Sequence, residues 1–335
     1  LTIALPTRNR SYYLEKNLEQ LKREIKQIKA NLVEIIVSDN CSADNTGSIV
    51  DSAIKTGAAI SYVRNAEDIG WGRNFLQCFD LARGAYVLIL GDDDFFVDGA
   101  LKRLIEKLQN AEYGVVCLQT YGFDIDCKDE QPYNSSADRL YTNPGEFIRD
   151  VGAYVTLISA CVINKNLVKD FRSGWQKYPN LPVLYLVLRA AIRSERNLYI
   201  REYMVGCKRN NSANYIFSDI FVDEMWSIID KECSNVISPK WIKEFERKLL
   251  IGYYPLYFLQ LRLGKNEQVS LNLEACDRRF SLSMTYRYWL RPILTLPRYL
   301  AIAHGLFVTA LGRVWDGDFL RGFYYLKTKL VRLFR

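Results

Sequence analysis

The run Val87-Leu88-Ile89-Leu90-Gly91-Asp92-Asp93-Asp94 decides the fold. Four apolar residues lead into a glycine and then into three consecutive carboxylates. The apolar part reads as a buried strand, and the acids stand where that strand leaves its sheet, the edge at which open α/β sheets hold ligands. Three adjacent like charges repel, so a cation among them favours the arrangement. Oxygen-only ligands suit Mg²⁺ or Mn²⁺, and such a metal would in turn hold a diphosphate. Taken alone, the stretch is explained equally well as a solvated acidic turn with Asp94 as a helix N-cap.

The preceding sequence supplies the context. Leu1 to Leu5 is a short apolar strand ending in Pro6-Thr7-Arg8-Asn9-Arg10, followed by a helix with Leu14, Leu18, Leu21, Ile25 and Ile28 on one face. Leu32 to Val37 forms a second strand that ends in Ser38-Asp39-Asn40-Cys41-Ser42. Asp44 and Thr46 open a second helix. Ala59 to Val63 is a third strand, and Gly70-Trp71-Gly72-Arg73-Asn74 leads into a helix ended by Gly84. Strand and helix alternate up to the acids, which predicts a doubly wound, mostly parallel sheet with helices on both faces. A nicotinamide-binding domain would have glycines in its first turn to let the backbone approach a pyrophosphate. Here that turn is Pro6 to Arg10, without glycine, which argues against that domain and against a sugar nucleotidyltransferase.

Composition narrows the chemistry further. The 335 residues suffice for one large α/β domain and an addition, and 49% hydrophobic with 25% charged residues is ordinary for a globular chain. Eight scattered cysteines form no Cys-x-x-Cys pair, which fits reduced thiols in a cytoplasmic protein. A single histidine, His304, all but excludes histidine metal sites and Ser-His or Cys-His catalysis. No signal peptide is expected from the strand-like opening, and a few residues are expected to precede Leu1. The net charge of +7 is concentrated: Thr285 to Arg335 holds nine Lys/Arg against two Asp/Glu, and the first 284 residues are neutral. A neutral body with a basic tail is not a nucleic-acid binder.

Four ordered blocks carry a resemblance: Pro6-Thr7-x-Asn9-Arg10; Ile35 to Thr46, with Ser38-Asp39-Asn40-Cys41-Ser42-x-Asp44; Gly70-x-x-Arg73-Asn74; and Ala82-x-Gly84-x-Tyr86 with the acids. Together they resemble the family 2 glycosyltransferases of GT-A fold, and the wording is similar to the bacterial branch of abequosyltransferase-like enzymes of surface-polysaccharide assembly. The resemblance is close over residues 1–125 and loose over 140–212. It implies a catalytic domain over 1–212, with a nucleotide-sugar half to 125 and an acceptor half from 126. It implies that Pro6, Thr7, Asn9 and Arg10 line the base pocket, and that Asp39, beside Asn40, hydrogen-bonds the nucleobase. Arg73, beside Asn74, would meet the diphosphate, and Asp92 the ribose. Metal is expected on Asp93, with Asp94 second, because Gly91 stands where the family's acidic motif often has its first acid.

The acceptor half departs from the family pattern. Where inverting members carry a catalytic carboxylate opening a helix, this chain has Lys177-Tyr178-Pro179-Asn180-Leu181-Pro182. Displacement at an anomeric carbon needs the acceptor hydroxyl deprotonated as it attacks. Asp124 and Asp126, ending a strand near the acids, are the candidate bases; Asp138 and Asp170 are further possibilities. Lys208 and Arg209, after a last strand from Leu198 to Val205, match the family position that reaches the leaving diphosphate.

From about Phe217 helical patterns take over, so a helical region is expected over 213–335. The segment from Arg298 to Arg313 is apolar but encloses 14 residues, short of the ~20 that span a bilayer. Phe319, Phe323, Leu326, Leu330 and Leu333 then form a stripe beside Arg321, Lys329, Arg332 and Arg335. Such a pattern fits a helix lying on a membrane surface, and packing on a second copy is the alternative. The expectation is therefore a metal-dependent, inverting glycosyltransferase on the cytoplasmic face of a membrane. It would move one sugar from a nucleotide-diphosphate donor to a lipid-linked glycan. A catalytically inactive domain serving as a membrane-tethered scaffold is the competing expectation.

Overall fold

A computed structural model describes residues 1–29, 31–133, 136–170, 174, 177–209, 216–264 and 268–315. The chain divides into two compact units. One comprises Leu1–Phe147 with Tyr154–Ser212, the other Ile148–Ala153 with Ala213–Arg335.

The first unit is built on strands β1 (Thr2–Thr7), β2 (Glu34–Asp39), β3 (Ile60–Arg64), β4 (Tyr86–Ile89), β5 (Phe95–Phe96), β6 (Val115–Phe123), β7 (Arg139–Tyr141), β8 (Cys161–Asn164) and β9 (Asn197–Lys208). They form one sheet in the order β3-β2-β1-β4-β8-β6-β9-β5, with β7 also pairing β9. Its helices are α1 (Ser11–Ile25), α2 (Thr46–Lys55), α3 (Trp71–Leu81), α4 (Ala100–Asn110), α5 (Pro144–Val151), whose C-terminal turn passes into the second unit, and α6 (Pro182–Ile192).

Strands β3, β2, β1 and β4 run parallel, as the alternation predicts. The other half of the sheet is mixed, because β8 enters antiparallel between β4 and β6. The stretch Val155 to Ile163, which reads in sequence as one apolar run, is two short 3₁₀ turns followed by this strand. Ile3, Leu5, Val37, Leu88 and Leu90 form the core under the sheet with Leu14, Leu18 and Leu21 of α1.

Register explains how the site is assembled. Thr7 pairs with Asp39 at the ends of β1 and β2, and Ala4 pairs with Ile89 of β4. The turns after three adjacent parallel strands therefore open at one edge, where the acids begin. α1 holds that edge with a buried polar row that the leucine pattern does not reveal. Asn17 donates to the carbonyls of Gly91 (3.0 Å) and Asp94 (2.7 Å). Gln20 donates to Phe96 O (2.6 Å), and Glu24 accepts the N–H groups of Gly99 (2.9 Å) and Leu101 (3.3 Å) at the start of α4. Positions 17, 20 and 24 share one face of α1, so a single helix clamps the whole segment from 91 to 101.

The second unit is helical: α7 (Met225–Cys233), α8 (Pro239–Lys248), α9 (Tyr254–Leu263), α10 (Val269–Phe280), α11 (Arg291–Thr295) and α12 (Arg298–Trp315). π-helical segments at Leu249–Tyr253 and Tyr286–Leu290 immediately precede Tyr254-Pro255 and Arg291-Pro292. Proline cannot donate to the carbonyl four residues back and its ring collides with it, and the widened turn relieves both faults. Buried Phe217, Trp226, Phe245, Tyr254, Phe258, Phe280 and Tyr286 form the aromatic core. Residues 148–153 join this unit through Arg149, which pairs with Glu244 (3.1 Å) and lies 4.6 Å over the Trp241 ring. His304 sits 3.0 Å from the carbonyl of Trp289, a structural contact. The stripe from Phe319 to Leu333 lies outside the described residues.

Replacing Asn17 with leucine keeps the branched outline, adds bulk and strands two buried carbonyls. A loss of about 1–3 kcal/mol of stability is expected, measured by urea unfolding; a change under 0.5 kcal/mol would contradict the clamp.

Candidate active site

Arg10 stands at the N-terminus of α1 and its side chain turns back onto the acids. Its guanidinium forms ion pairs with Asp92 (Nε to Oδ1, 2.8 Å) and with Asp93. The other oxygen of Asp92 accepts from Thr7 Oγ1 at 2.7 Å. Asp94 points inward: its carboxylate accepts from Ser159 Oγ at 2.5 Å and from the Lys208 backbone N–H at 3.0 Å. Ser159 in turn accepts the N–H of Gly91 at 2.9 Å. A Cβ at Gly91 would lie 2.8 Å from the Asp94 carboxylate. That crowding gives a physical reason for glycine where the family motif often has an acid.

All three aspartates are nearly buried, and one arginine serves two of them. Burial pushes Asp92 up to about 7, against the opposing pull of Arg10 and Thr7. Burial, and next the charge of Asp93, pushes Asp94 up to about 6. The cluster is held together by the fold at an electrostatic cost.

Asp39 is fully buried, and its carboxylate accepts from the Ser42 N–H (2.8 Å) and Tyr62 OH (2.8 Å), with Arg64 3.6 Å away. Burial and this carboxylate raise the Tyr62 phenol well above its ordinary range. Asn9 has a left-handed backbone (φ 54°). Its N–H donates to Ser42 Oγ (2.9 Å) and its side-chain oxygen accepts from Ala43 N (2.7 Å). Thus the turns after β1 and β2 lock together. Pro6 is a strand residue in register with Ser38.

Two expected ligand-binding residues also make internal ties. Asn40 donates to Asp68 (2.5 Å) and accepts from Ile69 N (3.0 Å). Asn74 exchanges hydrogen bonds with Ser38, 2.7 Å to its hydroxyl and 3.0 Å to its carbonyl. Both amides are buried because they hold the 65–70 loop and α3 against β2. Arg73 differs: it is exposed in the first turn of α3 and has no ionic or hydrogen-bonding partner among the described residues. The N-terminus of α3 has no side-chain cap, and Gly70 before it is left-handed (φ 81°). Free N–H groups, a helix dipole and a guanidinium therefore gather at the ligand edge.

The candidate bases lie in a loop closed by Glu130, which accepts the backbone N–H groups of Asp124 (2.9 Å), Ile125 (2.8 Å) and Asp126 (3.3 Å). The Asp126 carboxylate caps the following turn through Lys128 N (2.8 Å) and Asp129 N (3.0 Å). Asp124 pairs with Arg209 at 3.3 Å, and Arg209 lies 3.7 Å from Glu130. Lys208 donates its Nζ to Asp124 O at 2.6 Å while its backbone N–H holds Asp94. The two cations expected at a leaving group are thus engaged with this loop. Asp138 pairs with Lys107 (2.6 Å). Asp170 is pulled down to about 2, chiefly by Arg193 and then by Arg189. The sequence reading passed over Asn17, Tyr62 and Glu130; only Asn17 left a trace, a polar residue inside a leucine face.

No three His, Cys, Asp or Glu side chains converge on a metal position among the described residues. Mg²⁺ and its analogues need no such cage, since they take one or two carboxylates and complete their shell with water and substrate phosphate. The oxygen donors fit such an ion, and Asp93 is better placed than Asp94, whose oxygens face Ser159 and Lys208.

The parallel half-sheet, the acids at its edge and the mixed half beyond define a GT-A glycosyltransferase fold. Residues 2–170 match the description "Glycosyl transferase family 2", and the chain belongs to that family of nucleotide-sugar-dependent transferases. Abequosyltransferase RfbV of Salmonella typhimurium is 38% identical over 231 residues, 64% of this chain and 68% of the relative. A Campylobacter jejuni enzyme described as GalNAc(5)-diNAcBac-PP-undecaprenol beta-1,3-glucosyltransferase is 36% identical over 109 residues, 32% of this chain and 34% of its own length. Among solved structures, S. aureus TarS 1–349 in complex with UDP-GlcNAc superposes with TM-score 0.64 at 17% identity, covering 95% of this chain and 92% of that one. A mannosyltransferase of Pyrobaculum calidifontis, in complex with GDP-Man and Mn²⁺, gives TM-score 0.52 at 15% identity, over 94% and 87%.

The buried charge of Asp94 has a measurable consequence. Its folded-state value lies above the ordinary 3.8, so the folded chain holds this proton more tightly than the unfolded one. The group costs nothing below pH 3.8, and its cost grows until the pH passes about 6. In metal-free buffer Asp94→Asn should therefore add on the order of 1–3 kcal/mol at pH 7.5 and almost nothing at pH 4. Urea unfolding at both pH values checks this, and equal effects at both would refute the charge explanation.

Proposed function

We propose that this chain transfers a single sugar from a nucleoside-diphosphate donor to a hydroxyl of a lipid-linked glycan, with inversion, in the assembly of a bacterial surface polysaccharide. The observation that carries the donor half is the meeting of Thr7, Arg10 and the three aspartates at the edge of β1, β2 and β4. Thr7 and the interlocked turns at Asn9 and Asp39 floor the base pocket. Asp92 takes the ribose. Arg73 and the uncapped start of α3 face the diphosphate and stabilise charge as the sugar leaves.

Asp93, with Asp92 beside it, would hold Mg²⁺ or Mn²⁺, which supplies neutralisation of the diphosphate when bound. Arg10 balances these carboxylates in the chain itself and gives way to a stronger cation at Asp93. The acceptor proton is assigned to Asp124, whose backbone carbonyl is held by the same Lys208 that holds Asp94 and whose carboxylate pairs with Arg209; Asp126, with one carboxylate oxygen capping its turn, is the alternative. The lipid-linked acceptor is supported by the activity that the Campylobacter relative's name describes and by the apolar, basic stretch of residues 285–335. That stretch would keep the enzyme at a membrane surface.

Calorimetry of the purified chain against UDP, GDP, CDP and dTDP, with and without Mn²⁺, tests the donor site. One nucleotide should bind at least tenfold more tightly with metal, and Asp93→Asn should abolish that gain. Unchanged metal-dependent affinity in the variant would remove the metal assignment. For the base, Asp124→Asn should lower kcat by about 10²–10⁴ with little change in KM, and Asp126→Asn should lower kcat by less than tenfold. The reverse order would transfer the role to Asp126.

A further inference from the structure

Helix α12 is reversed relative to an ordinary surface helix. Its small residues face the protein: Ala301, Gly305, Val308 and Gly312 are buried. A Cβ at Gly305 would stand 3.0 Å from Leu259 of α9, and one at Gly312 only 2.6 Å from the carbonyl oxygen of Ile251. Its large apolar side chains face outward. Tyr299, Leu300, Leu306, Phe307, Leu311 and Val314 are between 40% and 86% exposed. With Ala303 and Ala310 they occupy one face at helical spacing, and every exposed position from 299 to 314 is apolar. A helix buried only by this unit would place the large side chains inward, where they remove the most area from water.

We propose that this outward stripe seats α12 in the plane of an anionic lipid surface. The proposal deepens the membrane-surface reading above and rests on it for its purpose, but the face stands on its own geometry. Charge selects a lipid surface over a second copy of the chain. Residues 285–315 carry four arginines and no carboxylate. Arg291 pairs with Asp277 at 2.8 Å, whereas Arg298 is held by the neutral carbonyls of Arg262 (3.2 Å) and Leu263 (3.1 Å) and keeps its charge. Two copies meeting on this face would bring like charges together, whereas anionic headgroups attract them. Among the described residues no helix is long and apolar enough to cross a membrane, so a shallow, in-plane position suits the stripe. Tyr299, the most exposed of the six, sits at the end of the stripe, where an amphipathic ring meets headgroups. The sequence that follows, 316–335, adds five Lys/Arg and two Asp, continuing the same sign.

The test is flotation of the full chain with vesicles of phosphatidylcholine, with and without phosphatidylglycerol. The wild-type chain should float with the anionic vesicles and do so less at high salt. The double variant Leu306→Glu, Phe307→Glu should bind at least tenfold more weakly, with unchanged thermal unfolding and nucleotide calorimetry. Val236→Glu, at an exposed apolar residue elsewhere in the unit, should float like the wild type. Flotation of the double variant at the wild-type level would overturn the proposal. So would a wild-type dimer in sedimentation velocity that the double variant reduces to a monomer while neither floats. Vesicle binding is read without donor or acceptor, so a failed nucleotide titration with intact flotation would count against the transferase site and support the lipid face.

Discussion

Of three buried carboxylates in succession, two share a single guanidinium and the third rests on neutral donors, and the first unit is arranged to sustain that imbalance. Arg10 comes from the turn after β1, Thr7 from the strand itself, Ser159 from the 3₁₀ turn before β8, and the Lys208 amide from the end of β9. Three separate segments thus converge on three consecutive residues. Adjacent anions in a low dielectric repel strongly, so each contact is needed to hold the loop closed. The same imbalance underlies the receptivity to metal-bearing ligands that is proposed above. Stability given up at the acids is the counterpart of that receptivity.

Topology puts the cluster where a ligand can reach it. Parallel β1, β2 and β4 end together, so their turns open on one side. Asn17, Gln20 and Glu24 fix the acidic segment to α1, and Asn40 and Asn74 fix the loop before α3 to β2. These buried polar side chains pair with groups of the protein itself. They replace backbone partners that the irregular turns lack, which is why polar residues occupy helix and strand positions that would otherwise be apolar.

In the second unit, proline and glycine set the geometry. Pro255 and Pro292 follow widened π-helical turns, and Gly305 and Gly312 bring α12 close against its neighbours. Close approach through small residues leaves the large apolar ones outward. The unit's surface chemistry is therefore a consequence of how its last described helix is packed.

Much of this was readable in the linear order of residues. Short apolar runs and period-three-to-four patterns marked the parallel half-sheet and α1, and the blocks around Asp39, Arg73 and Asp92 marked the edge and the family, because such local signals depend only on neighbours in the chain. What depends on distant partners was not readable. The antiparallel insertion of β8 reflects pairing with β4 and β6, which no local pattern specifies. The ties that Asn40 and Asn74 make to Asp68, Ile69 and Ser38 were not readable either, since side-chain direction is set by what lies across the fold. The inward turn of Asp94, the seizure of Asp92 and Asp93 by Arg10 and the outward face of α12 are decisions of tertiary structure. Each is a choice among partners that only packing brings within reach.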